Sequence, residues 1–310
     1  MPVRTHEPDE HDNAYAELLT DDARWAFGTD FTDPLAGVDT TVPDGVDPAT
    51  LATYCLMLGD DALVLSQRLA QWCSNAPDLE EDIAFANIAL DLLGQARLLL
   101  ARAAAADPGQ VPALPAGSPV PDEDRLAFFR DGPQVRNVRL AEIDDGDFAQ
   151  AVVRVLLFSA WRLELFTDLV RSRDAVLAAV AAKGVKELTY HRDFAGRWFV
   201  VLARGTAESR RRLVAGLEAV WPYRDELFAT HGVERAAAQA GVGVDPAGVE
   251  ARVEAVLDQA LGAAGLERPD VRPRSGVQGK AGRDGRHTEA LSLLLAEMQS
   301  VARAHPEGRW

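Results

Sequence analysis

The chain has 310 residues, 47% of them apolar and 26% charged, with a formal net charge of −16. That length and apolar content suit one large domain or two small ones around a buried core, and exclude disorder throughout. Two cysteines (Cys55, Cys73), an N-terminus without an apolar leader, and apolar runs such as 151–160 interrupted by charge exclude a disulfide framework and predict a cytoplasmic, non-membrane protein.

Residues 1–46 carry eleven acids against two arginines, so most of the acidity lies in this segment, and the 47–310 body is close to balanced for its length. The segment reads as an acidic N-terminal arm, partly disordered. It has one helical stretch around Ala14–Phe27, and Trp25, Phe27 and Phe31 imply that part of it docks. From Asp47-Pro48, an N-cap followed by a proline suited to a first helical turn, the period becomes helical. Apolar residues recur at Leu51, Tyr54/Cys55, Leu58, Ala62, Leu65, Leu69 and Trp72, which predicts a helix to about Ser74. After Asn75-Ala76-Pro77, Asp78 and Glu81 read as a capping box opening a second long helix to about Ala106, with its inner face through Ile83, Ala86, Leu90, Leu93, Arg97 and Leu100. Five prolines within 107–121 make a crossover connection. A short helix is predicted at Asp122–Arg130, a third long helix from about Asp147 past Leu169, and a fourth from about Asp174 to Arg204. Shorter helices follow at Thr206–Val220, from Pro222 to about Thr230, at Asp245–Ala264 and at Thr288–Ala304. Between the last two, Gly265–Arg286 is a long Gly/Pro/Arg-rich loop. No period-2 strand is present. The fold class is all-α: a ferritin-like four-helix bundle with one long crossover and additional C-terminal helices.

That architecture suggests a carboxylate-bridged di-iron centre, built from a Glu on each of two helices and a Glu-x-x-His on each of the other two. Three-residue spacing would place carboxylate and imidazole on one helical face. The slots are filled otherwise. The first helix offers Asp60 and Asp61. On the second, Asp91 has Gly94 three residues on, within a polar series Asn87, Asp91, Gln95. On the third, Glu164 is the best-placed acid, and Asp168 has Arg171 three residues on. On the fourth, Glu187 and His191 are four apart. One imidazole is missing and the other displaced, so the reading assigns no catalytic, cofactor-binding or metal residue to this chain. Asp61, Asp91, Gln95 and His191 are expected to fill the cavity with hydrogen bonds, with Arg68, Arg97, Arg162 and Arg192 available to pair buried acids. Two alternatives stay open. One is a metal-dependent oxygenase with an unconventional set, Asp61, Asp91, Glu164, Glu187 and His191. The other is a CoA-thioester-binding module using Lys280 and Arg283 of the glycine-rich run 276–285, for which a solvated loop is the plainer reading. Short basic stretches (Arg210–Arg212, Lys280–Arg286) do not make a nucleic-acid surface.

The block YCLMLGDDALVLSQRLAQWCSNAPDLEEDIAFANIALDLLGQARLLL (Tyr54–Leu100) resembles the PaaC family, the C component of the ring 1,2-phenylacetyl-CoA epoxidases. Supporting strings follow in order: LAFFRD at Leu126–Asp131, VRN at Val135–Asn137, FSAW at Phe158–Trp161, KELTYH at Lys186–His191, HTEA at His287–Ala290 and LLAEMQ at Leu294–Gln299. The resemblance spans roughly 47–302. It implies a ferritin-like, non-catalytic structural subunit that pairs with and stabilises the iron-bearing catalytic chain, the A component of the same complex. It also implies no cofactor of its own, with di-iron in that partner and NADPH, flavin and iron–sulfur chemistry in a reductase subunit. The complex so implied adds an epoxide to the aromatic ring of phenylacetyl-CoA in aerobic phenylacetate breakdown. The acidic arm is longer than the resemblance leads one to expect.

Overall fold

The computed structural model describes residues 38–308 except Ser275. The helical stretch predicted at Ala14–Phe27 and its aromatic neighbours lie outside the described residues. Helix α1 (Pro48–Ala70) opens where predicted: Asp47 has extended backbone, and its carboxylate accepts from the Thr50 amide at 2.9 Å. It ends earlier than the apolar period suggests. The amides of Trp72, Cys73 and Asn75 bond to the carbonyls three residues before them, and Ser74 is left-handed (φ 68°), so the chain turns while Trp72 stays in the core against Phe85 and Phe148.

Helix α2 (Leu79–Ala106) starts without the predicted capping box. Asp78 stands at the N-cap, but its side chain accepts from no amide of the first turn, and Asp82 instead accepts from the Ser74 amide at 2.7 Å, closing the turn from the far side. Its register also differs. Phe85, Ile88, Ala89, Leu92, Ala96 and Leu99 are buried, whereas Ile83, Leu90 and Leu93 are 52%, 64% and 39% exposed. The helix is apolar on two faces, and the described residues cover one. Helices α1 and α2 are both long and apolar enough to cross a membrane by length and composition. The apolar window of α1 is 83% buried within the fold and that of α2 50%.

Past the proline-rich crossover come α3 (Asp122–Phe128) and a single turn, α4 (Arg139–Glu142). The second hairpin is α5 (Phe148–Leu169) and α6 (Ala175–Arg204), capped by Asp147 onto Gln150 and by Asp174 onto Leu177. The two hairpins meet mainly between α2 and α6. Helix α7 (Ala207–Val220) packs on α5. The helix predicted after Pro222 is two 3-10 turns, 221–223 and 225–228, because proline removes a donor and the carbonyls of Trp221 and Arg224 bond three residues on. Helix α8 (Gly232–Gln239) was not predicted. It is too short to show a period, and its cap is a histidine: His231 Nδ1 accepts from the Val233 amide while Glu234 accepts from the His231 amide. Helices α9 (Glu250–Ala264), ending on left-handed Gly265, and α10 (Glu289–Ala304) complete an all-α fold with no strand among the described residues. This is the two-hairpin, one-crossover arrangement the periodicity predicts.

Asp174 does more than cap. It receives Arg102 of α2 through both Nε (3.1 Å) and Nη2 (2.6 Å), with both side chains 1% exposed. Asp174→Ala therefore removes a cap and strands a buried guanidinium, with an expected loss of about 3–5 kcal/mol in urea denaturation. Asp174→Asn keeps the cap oxygen and is expected to lose less.

Candidate functional site

Two adjacent acids, Asp60 and Asp61, lie fully buried at mid-α1. Buried carboxylates need cations or donors, and each has its own set. Asp60 is held by both terminal nitrogens of Arg130, Nη1 at 2.9 Å, and accepts from the Arg136 amide at 2.8 Å. Asp61 takes a bidentate contact from Arg283 at 2.9 Å on each oxygen and accepts from the Val138 amide at 2.8 Å. Arg283 is fixed further by the carbonyls of Met57 (3.0 Å) and Arg136 (2.8 Å), and Glu234 lies 3.3 Å from its Nε. Burial alone would lower the Arg283 pKa, but the carboxylates of Asp61 and Glu234 overcome it and raise it; burial pushes Glu234 up.

Between the hairpins, where a di-metal centre would sit, lies the guanidinium of Arg162 from α5, fully buried. It donates to Gln95 Oε1 of α2 at 3.0 Å and to the Leu58 carbonyl of α1 at 3.1 Å, approaches Asp61 to 4.0 Å, and covers the Phe166 ring at 4.3 Å. Burial brings its pKa down to about 10, so it stays cationic near neutrality. Gln95 donates onward to Glu187 of α6 at 2.9 Å, and Glu187 pairs with Lys183 at 2.9 Å. One polar chain thus crosses all four long helices, Asp61–Arg162–Gln95–Glu187. Gly184 of α6 admits the Phe166 ring to the bundle centre, because a Cβ there would lie 2.7 Å from it. At Gly94, the missing-imidazole slot, the nearest neighbour a Cβ would meet is the Lys183 ammonium at 3.9 Å.

The five residues of the unconventional metal set are not brought together. Asp61 is committed to arginines. Glu187 is engaged by Gln95 and Lys183. Asp91 and His191 form a pair of their own at 3.0 Å at the bundle edge. Glu164, read from sequence as the best-placed acid of its helix, points outward with Asp168 and pairs with Arg252 of α9 at 2.7 Å. The donor set does not fit a di-iron centre: its acids are neutralised by arginines, and a guanidinium occupies the middle. Of the arginines named from sequence, Arg162 alone reaches this interior. Arg68 donates to the Glu142 and Ala290 carbonyls, Arg97 faces Glu123, and Arg192 faces Asp193. Arg130 and Arg283, which do the pairing, lie outside the four long helices, where helical periodicity gives no signal. The CoA-binding alternative loses Arg283 for the same reason, since its guanidinium is turned into the core.

Another buried acid, Glu142, organises the entry to α10. Asn137 donates to it at 2.8 Å, the Thr288 amide at 2.5 Å, and His287 Nδ1 lies 2.7 Å away. Burial works against protonation of His287, but the hydrogen bond and charge of Glu142, with the Val135 carbonyl and the charge of Asp60, together outweigh it and raise the pKa. A raised folded-state pKa adds stability that is fully present below the unfolded value and disappears as pH rises through the folded value. Melting temperatures of wild type and His287→Gln should therefore differ most near pH 5.5 and converge toward pH 9.

The chain matches the family described as "Phenylacetic acid catabolic protein" over residues 38–310. It is also 41% identical, over 261 residues, to the C component of the curated 1,2-phenylacetyl-CoA epoxidase of Escherichia coli (strain K12), covering 84% of this chain and 99% of that protein.

Proposed function

The chain belongs to the phenylacetic acid catabolic protein family, and from that premise we propose that it is the non-catalytic structural member of a cytoplasmic, multicomponent phenylacetyl-CoA epoxidase, pairing with the di-iron catalytic chain and stabilising it. The observation that carries this reading is the Arg162 guanidinium at the bundle centre, bonded to α1 and α2 in the space a di-metal site needs. A fixed cation there repels a second one and consumes the donors. The body of the fold is kept while its chemistry is given up, as suits a chain whose role is to hold a neighbour in place. The apolar face of α2 that no described residue covers, with Ile83, Leu90 and Leu93 in one stripe, supports pairing with another chain, since such stripes mark interaction surfaces.

Co-expression with the family's catalytic chain tests the reading. The two chains are expected to co-purify as a stable complex that epoxidises phenylacetyl-CoA when a reductase is supplied. Iron analysis should find metal in the catalytic chain and essentially none in this one purified alone, because its carboxylates are already taken up by arginines. Near-stoichiometric iron in the isolated chain, or turnover by it, would overturn the proposal.

A further inference from the structure

The run Gly276–Thr288 is a built structure that carries two cations with no ion pair among the described residues. Val277 and Lys280 pair across a tight turn whose central residues, Gln278 and Gly279, are both left-handed (φ 53° and 75°), and the Lys280 amide donates to the Val277 carbonyl at 3.0 Å. Gly282 and Gly285 press against neighbouring backbone: a Cβ would lie 2.0 Å from the Asn137 carbonyl oxygen and 2.1 Å from that of Pro133. Arg283 is anchored in the core on Asp61, and His287 is held between Glu142 and the Val135 carbonyl at 2.9 Å. Lys280 and Arg286 therefore project from a loop pinned on either side of Arg286, rather than from a free one.

Together with Arg139, His287, Thr288 and Ser292 they line a cleft of about 400 Å³ beside the first turn of α10, and no acid among the described residues lines it. The charges of Arg139 and His287 are taken up behind the cleft by Glu226, 2.6 Å from Arg139 Nε, and by Glu142. Lys280 and Arg286 are exposed and make no ion pair among the described residues, so two positive charges face the cleft in a chain of net charge −16. The first turn of α10 beside the cleft is already met by acid, Glu142 accepting from the Thr288 amide, so the cleft's positive charge comes from Lys280 and Arg286 alone.

We propose that this cleft binds the phosphate groups of an organic phosphate, with Arg286 as a forked donor and Lys280 as a point charge. The ligand chemistry has two sources, a phosphate-bearing acyl thioester or a free diphosphate; only the first rests on the reading given under Proposed function.

Calorimetry on the full chain separates them, with inorganic pyrophosphate, coenzyme A and phosphate-free pantetheine as probes. Pyrophosphate and coenzyme A are expected to bind and pantetheine to give no heat. Lys280→Ala/Arg286→Ala should weaken binding at least tenfold without changing the melting temperature. Lys186→Ala/Arg204→Ala, which removes two charges elsewhere, should leave it unchanged. Silence with both phosphate probes, or equal loss in the two double variants, would overturn the site. Binding of pyrophosphate but not coenzyme A supports the anion site and removes the thioester as its source. Complex membership is read separately by co-purification and stands or falls independently.

Discussion

Replacing Arg283 with methionine is expected to lower unfolding free energy by about 3–5 kcal/mol, because it leaves Asp61 and Glu234 buried without their cation. Both oxygens of Asp61 lose a 2.9 Å partner, and two backbone carbonyls, Met57 and Arg136, lose a donor. Urea denaturation followed by far-ultraviolet circular dichroism measures the loss. The pair Arg283→Met/Asp61→Asn should recover much of it, since the stranded charge is removed along with its partner. If the double variant were as unstable as the single one, the cost would lie in packing rather than charge.

A second large effect is expected at α2. Ile83→Lys/Leu90→Lys should abolish co-purification with the catalytic chain while leaving the isolated protein's melting temperature within about a degree of wild type. Both side chains are more than half exposed, so the isolated fold loses little by their replacement. An interface built on apolar contact, by contrast, would have to bury two ammonium groups. The paired control is Leu92→Lys on the opposite, buried face, which should unfold the chain instead. Co-purification undiminished by the surface pair would place the partner elsewhere.

The helices and the hairpin order were legible in the sequence, because a 3.6-residue apolar period over more than twenty residues has few competing explanations. The register of α2 was not. With apolar residues on two faces, the period through Ile83, Leu90 and Leu93 is as regular as the one through Phe85, Ile88 and Leu92, and only packing against α1 and α6 distinguishes them. The missing imidazoles at Gly94 and on α6 were readable slot by slot. What fills the space in their place was only half readable. Arg162 sits on a long helix and could be named as a candidate, but Arg130 stands at the end of a short predicted helix and Arg283 in a loop segment, where no long apolar period points a side chain inward. Glu164 misled for a related reason: an acid among core aromatics in sequence faces α9, an element the four-helix frame does not contain.

The dependence of α1 on Arg283 also bears on how the chain is completed during synthesis. All four long helices have been made by residue 204, yet the counter-charge for Asp61 comes 79 positions later. A nascent chain arrested before residue 276 therefore lacks the bidentate partner of Asp61 and the donor to the Met57 carbonyl. Ribosome-bound chains of that length are expected to be more protease-sensitive than the full chain, because a buried carboxylate without its cation opens the middle of α1 to water.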